Sequence, residues 1–217
     1  MIKVERTFPA PASLAIEKEK NGTYRGDDVV KQLNADFYSK CYLCEMKPVY
    51  DINVEHLNPH KGDMDLKFDW ENLFYSCVHC NNIKNQRKYD AKILDCCKND
   101  PEDSLYHFFY DDRVEVKPMQ KFCTDETICL TAELITSCFE YRNTGMRTIQ
   151  CQARIDDLKI VMLSLYKNLE KYLENPSGQA LNVLRAMLSR TYKFAGFTRT
   201  YVKTHLNDYP NLAQYIL

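Results

Sequence analysis

Two cysteine pairs of matched spacing, Cys41-x2-Cys44 and Cys77-x2-Cys80, constrain this chain more than any other feature. Two thiolates two residues apart can grip one ion from a single tight turn, and two such turns complete the tetrahedral all-thiolate shell that structural zinc prefers. The 32 residues between Cys44 and Cys77 exceed the roughly 15 to 20 of a simple zinc ribbon. A sizeable insert must therefore sit between the knuckles while both remain at one metal. Plain burial or redox work is the alternative for these thiols, but chance rarely places two matched pairs. With four sulfur ligands the zinc has no open position for a substrate, so any chemistry needs a second centre.

The remaining cysteines of the ten, Cys96, Cys97, Cys123, Cys129, Cys138 and Cys151, show no such spacing. In 217 residues with 45% apolar and 12% aromatic side chains there is ample material for a packed core, which excludes disordered and collagen-like chains. No run approaches the roughly 18 to 20 apolar residues of a membrane span, and Lys3, Glu5, Arg6 and Glu17 interrupt any signal peptide. The expectation is a cytoplasmic protein with reduced thiols, no membrane contact, and metal binding before disulfides. A net charge of −1 gives no overall basic field, so nucleic-acid contact requires a local patch.

The expected fold class is α+β and mainly helical, in four segments. Residues 1–40 form an irregular arm, marked by Pro9, Pro11 and Asn21-Gly22, and then a helix. That helix is capped at Asp27 or Asp28, carries Val29, Val30, Leu33 and Phe37 at steps of three and four, and ends near Ser39-Lys40. Residues 41–95 hold the cysteine module, with a β-type run at Tyr50, Ile52 and Val54 and a helix after the second knuckle. Residues 96–125 read as a connector with one strand, Arg113 to Lys117, and a soft boundary between Asp111 and Asp125. Residues 126–217 are a helical region, in which Ile155, Leu158, Met162, Leu165, Leu169 and Tyr172 form one seam, ended by Asn175-Pro176-Ser177-Gly178. Leu181, Leu184, Leu188 and Tyr192 form a second. A bundle core is the plainer role for these seams, and a partner-docking face the other.

The insert reads Val54-Glu55-His56-Leu57-Asn58-Pro59-His60, then Phe68-Asp69-Trp70-Glu71-Asn72-Leu73, and the second knuckle continues Cys77-Val78-His79-Cys80-Asn81-Asn82-Ile83-Lys84. This order resembles the HNH endonuclease family, whose fold is a zinc-braced ββα-metal finger, across about Cys41 to Lys84. The arm with Arg6 and Pro9, the Glu55 to His60 wording and the helical tail are similar to the HNH subunit of Septu-type and related retron-associated antiphage systems. The resemblance implies hydrolysis of DNA phosphodiester bonds, with an ATPase of the SMC/ABC kind as partner.

It also implies residue roles. His56 matches the family's first His and would activate water as general base, a task that suits an imidazole titrating near ~6.5 once a carbonyl orients its other nitrogen. Glu55 stands where many members have Asp and would bind the catalytic cation, provided the strand ends or bends there. Asn81 would be the second ligand of that cation, its oxygen favouring Mg2+ or Mn2+ over zinc, although Asn82 competes with it for that face. Asn72 would brace the loop that holds the His. Taken singly, His56 and Asn72 would be ordinary core or turn residues. His60 and Asp63 are auxiliary candidates, better read as a solvated loop, and His79 a phosphate contact or exposed filler.

Lys84, Arg87, Lys88 and Lys92 would lie as a basic stripe on the helix after the knuckle, opposed only by Asp90. They would contact phosphates without reading bases; an ordinary solvated helix face is the other reading. Competing functions are a non-catalytic zinc adaptor for nucleic acid or protein, and RNA cleavage by the same fold.

Overall fold

The computed structural model describes residues 1–140, 145–176 and 178–216, with only the backbone at 146 and 147. It is an α+β fold, about half helical, with two small antiparallel sheets. The first sheet pairs β1 (Ile52–His56) with β2 (Leu73–Cys77), Glu55 opposite Phe74 and His56 opposite Leu73. The second pairs β3 (Leu105–Tyr110) with β4 (Arg113–Pro118) through a two-residue turn at Asp111 and Asp112.

Helix α1 (Ala12–Glu19) stands inside the arm, where an irregular chain is expected. It buries only Leu14 and leaves Ile16 60% exposed, so no apolar periodicity announces it. Helix α2 (Asp27–Asp36) buries Val29 and Leu33 and stops a turn short of Ser39. Between β1 and β2 lie α3 (Met64–Phe68), capped by the Asp63 carboxylate on Asp65 N and Leu66 N, and a short 3-10 turn at Trp70–Asn72. Helix α4 (Val78–Lys84) begins inside the second knuckle, where the Cys77 sulfur accepts from Cys80 N.

The C-terminal region contains α5 (Glu126–Ser137), capped by Asp125, the long α6 (Gly145–Glu174), α7 (Gln179–Met187) and α8 (Ala195–Thr204). Helix α6 runs to Glu174, as the Asn175-Pro176 stop signal leads one to expect; Ser177 of that signal lies outside the described residues. The connector holds a hairpin rather than one strand. Both its edges are covered, because Thr200 Oγ1 of α8 accepts from His107 N at 3.1 Å and Thr136 Oγ1 of α5 accepts from Val116 N at 3.0 Å. Such capping removes donors that would otherwise template strand addition.

One apolar cluster runs from Met1 and Val4 through Leu33, Phe74 and Leu105 to Leu165, Phe197 and Leu212, so the core is continuous across the soft boundary near Asp111. Glu45 pins the first knuckle to this core. Its carboxylate accepts from the Met1 ammonium at 2.7 Å and from Gly196 N at 3.1 Å, and it pairs with Lys40 at 3.2 Å. A Cβ on Gly196 would fall 2.6 Å from Glu45 Oε1, which is why α8 can approach only with glycine there. No helix among the described residues is long and apolar enough to cross a membrane.

Candidate functional site

Cys41 and Cys44 leave α2 on one turn, and Cys77 and Cys80 straddle the junction of β2 and α4. All four are buried and their sulfurs lie within 4.8 Å of one another. A tetrahedron with Zn–S near 2.3 Å needs sulfurs about 3.8 Å apart; Cys44 and Cys77 are 4.0 Å apart. The cluster can hold a structural zinc. Four thiolates around a dication leave net negative charge in the core, and Arg154 of α6 answers it by donating to Cys77 Sγ at 3.1 Å. His79, expected at the surface, is 2% exposed. Its ring meets Cys138 O at 3.0 Å and Gln150 Oε1 at 2.8 Å, tying the second knuckle to α5 and α6.

On the other side of β1 and α4 a cleft of about 410 Å³ is lined by His56, Glu55, Asn81, Lys84, His60 and Arg25, among others. His56 is the last residue of β1. Its Nε2–H donates to Lys67 O at 2.9 Å, which fixes the neutral tautomer and leaves Nδ1 as an acceptor. Burial lowers the His56 pKa below the ordinary histidine value, Lys67 O opposing and the neighbouring His60 adding to the effect. The ring is therefore neutral at pH 7. Asn72 is 3% exposed. It accepts from Asn58 N at 2.8 Å and donates to Asn58 O at 2.9 Å and Leu66 O at 3.0 Å, so one carboxamide ties together both ends of the loop that carries Lys67.

Glu55 is 5% exposed and paired with Lys84 Nζ at 2.7 Å, while its Oε2 is buried without a hydrogen-bond partner. Burial raises its pKa, and Lys84 offsets part of that. Asn81 lines the cleft whereas the exposed Asn82 does not, which settles which of the two faces it. His60 lies with its ring 4.8 Å from that of His56. Asp63 is spent on capping α3. Among the described residues the four thiols are the only group of three or more His, Cys, Asp or Glu donors close enough to share an ion.

The expected basic stripe requires correction. Helix α4 ends at Lys84, where Gln86 Nε2 caps Ile83 O. Lys84 itself is 6% exposed and also donates to His56 O at 3.0 Å, so it is internal wiring rather than a phosphate contact. Arg87 and Lys88 lie on a separate 3-10 turn, and Lys88 and Lys92 pair with Glu133 and Glu126 of α5. Sequence reasoning missed Tyr24 and Arg25, which come from the arm. Tyr24 sets its ring edge-on to His56 at 4.5 Å, and Arg25 donates to Tyr24 OH at 2.9 Å. Nothing local marks them, since their role depends on where the arm packs. Compared with known families and curated proteins, the chain matches no family model and no curated sequence.

Proposed function

We propose that this chain is a metal-dependent endonuclease with an HNH-type ββα-metal finger, cutting phosphodiester bonds of DNA. The observation that carries the reading is His56: a neutral imidazole at a cleft, one nitrogen anchored on Lys67 O and the loop behind it braced by Asn72. A base so oriented can take a proton from water through Nδ1, and positioned bases contribute about 10² to 10⁴ in rate. Arg25 at the same cleft supplies a positive charge for a phosphate.

The residues also fit a divalent cation. Glu55 and Asn81 both line the cleft and carry hard oxygen donors, the Glu55 carboxylate being shared with Lys84, and substrate phosphate would complete the shell. Mg2+ or Mn2+ bound there supplies charge neutralisation for the phosphorane and the leaving oxygen. The resemblance in the sequence is the ground for DNA as substrate and for an ATPase partner. One observation favours the non-catalytic reading, an adaptor: Lys84 already neutralises Glu55.

One experiment separates the two. Supercoiled plasmid and, in parallel, RNA are incubated with the protein in Mg2+ or Mn2+ and in EDTA, alone and with a neighbouring ATPase. Cleavage that needs the cation, and falls at least about 10²-fold in His56→Ala with zinc content and melting unchanged, is the expected outcome. Undiminished cutting by His56→Ala refutes the role of the base.

A further inference from the structure

Ahead of β3 the chain reads Asp95-Cys96-Cys97-Lys98, two adjacent thiols outside the four-cysteine cluster. Cys96 is buried, whereas Cys97 is half-buried and lines a cleft of about 210 Å³ with Arg6, Glu5, Glu71, Asp95 and Lys98, among others. The pair is held through its backbone. Cys97 N donates to Asp95 Oδ1 at 2.8 Å, Val4 N donates to Cys96 O at 3.0 Å, and Lys3 Nζ donates to Cys97 O at 2.6 Å. The first residues of the arm are therefore fastened to the main chain of the two cysteines.

Arg6 supplies the positive charge at this cleft. Its guanidinium lies over the rings of Phe74, Trp70 and Phe37 at 4.8, 5.1 and 5.6 Å, and its Nη2 donates to Leu73 O at 2.6 Å and Glu71 O at 3.3 Å. Nε and Nη1 are buried without a hydrogen-bond partner, and buried donors left unmet cost stability. The acidic neighbours are engaged elsewhere or exposed: Glu71 pairs with Lys98 at 2.9 Å, Asp95 accepts from Cys97 N, and Glu5 faces solvent. A Cys97 thiolate is the anion within reach of the guanidinium. The hydrogen bond with the Cys96 thiol lowers the Cys97 pKa below the ordinary thiol value, with burial and Asp95 opposing and Arg6 adding to the lowering. The same bond, with burial, pushes Cys96 well above that value. One sulfur is thus poised as nucleophile while its neighbour keeps the proton, in the partly exposed, electropositive setting that reactive thiols need.

We infer that Cys97 is a peroxide-reactive thiol that Cys96 resolves into a vicinal disulfide. The Cys97 thiolate attacks one oxygen of hydrogen peroxide, the O–O bond breaks, hydroxide leaves, and a sulfenic acid forms. The Cys96 thiol then attacks that sulfur, its proton leaves with the departing hydroxyl as water, and two electrons in all pass from the sulfurs to peroxide. Closing a disulfide between adjacent residues turns the peptide unit they share, so Cys96 O and Cys97 O release Val4 N and Lys3 Nζ. For the test, the full chain, reduced and supplied with zinc, is treated with hydrogen peroxide at neutral pH, quenched over time and mapped by peptide mass spectrometry. A loss of about 2 Da in the peptide carrying Cys96 and Cys97, at least about tenfold faster than oxidation of the exposed Cys123 in the same molecule and reversed by dithiothreitol, is expected. Amide exchange at Val4 should rise in the oxidised chain. In Cys96→Ser the sulfenic acid should persist and be trapped at Cys97 by dimedone, and Cys97→Ser should lose both signals. Oxidation of Cys123 first, a disulfide among Cys41, Cys44, Cys77 and Cys80 in place of the vicinal one, or no dimedone adduct in Cys96→Ser would each overturn the assignment, and unchanged exchange at Val4 would overturn its effect on the arm.

Discussion

The molecule contains two antiparallel strand pairs of nearly equal length that are stabilised by different means. In β1–β2 the strands are joined by an insert that includes α3, the thiol cluster lies at one end of the pair, and a buried Glu55–Lys84 pair and Asn72 hold the other. In β3–β4 the turn is two residues, the flanks are threonine hydroxyls from α5 and α8, and the open face is aromatic. An isolated two-stranded hairpin is marginal in water. The first pair overcomes this with a thiol cluster that can hold a metal and with buried charge, the second with helices and rings. The difference separates a polar cleft beside β1 from a largely aromatic one beside β3.

The largest expected effect falls on the first pair. Cys77→Ser should abolish stoichiometric zinc and cost more than about 4 kcal/mol, with amide exchange rising first across residues 41–84; full zinc content in the variant would disprove the four-thiol site. Next, Lys84→Met leaves the buried Glu55 carboxylate uncompensated and should cost about 3 to 5 kcal/mol. Adding Glu55→Gln should recover much of the loss in denaturant titrations, and no recovery would mean the pair is not what matters there.

The second pair is exposed to acid through His107. This ring is buried against the Met1 ammonium, which donates to its Nε2 at 2.9 Å, and against Glu45. Burial and then the ammonium push its pKa well below 6.5, against the pull of Glu45. The unfolded chain therefore takes up a proton near pH 6.5 that the folded chain refuses. The resulting stability is complete above that pH and is lost as pH falls below it. Melting curves at pH 7.5 and 5.5 should show His107→Gln losing less than the parent chain. The smallest effect is Thr200→Val, which strands His107 N and should cost about 1 kcal/mol by denaturant titration.

The four-thiol cluster is legible because metal chemistry fixes both residue type and spacing. The surroundings of His56 were legible in part. A carbonyl partner for its ring and a bracing Asn72 were anticipated, and Lys67 O and the Asn58 and Leu66 bonds supply them. Lys84 was misread because a lysine among basic neighbours looks solvated until a buried carboxylate is found beside it. Strand β3 is not legible because Leu105 to Tyr110 is aromatic or apolar on both faces apart from His107 and shows no polar alternation. Helix α8 was missed for the opposite reason: Thr198, Arg199 and Thr200 are polar yet buried, with Arg199 satisfied by Leu188 O, Tyr215 O and Ile216 O. Sequence period reports burial only when polarity and exposure agree.

Helix α6 meets the thiol cluster through Arg154 and walls the aromatic cleft through Leu163. Those contacts lie nine positions apart on one continuous helix, an axial rise of roughly 13 Å. It acts as a ruler that sets the interval between the thiol cluster and the aromatic cleft. A kink between Asp156 and Met162 would change that interval while leaving each end locally intact.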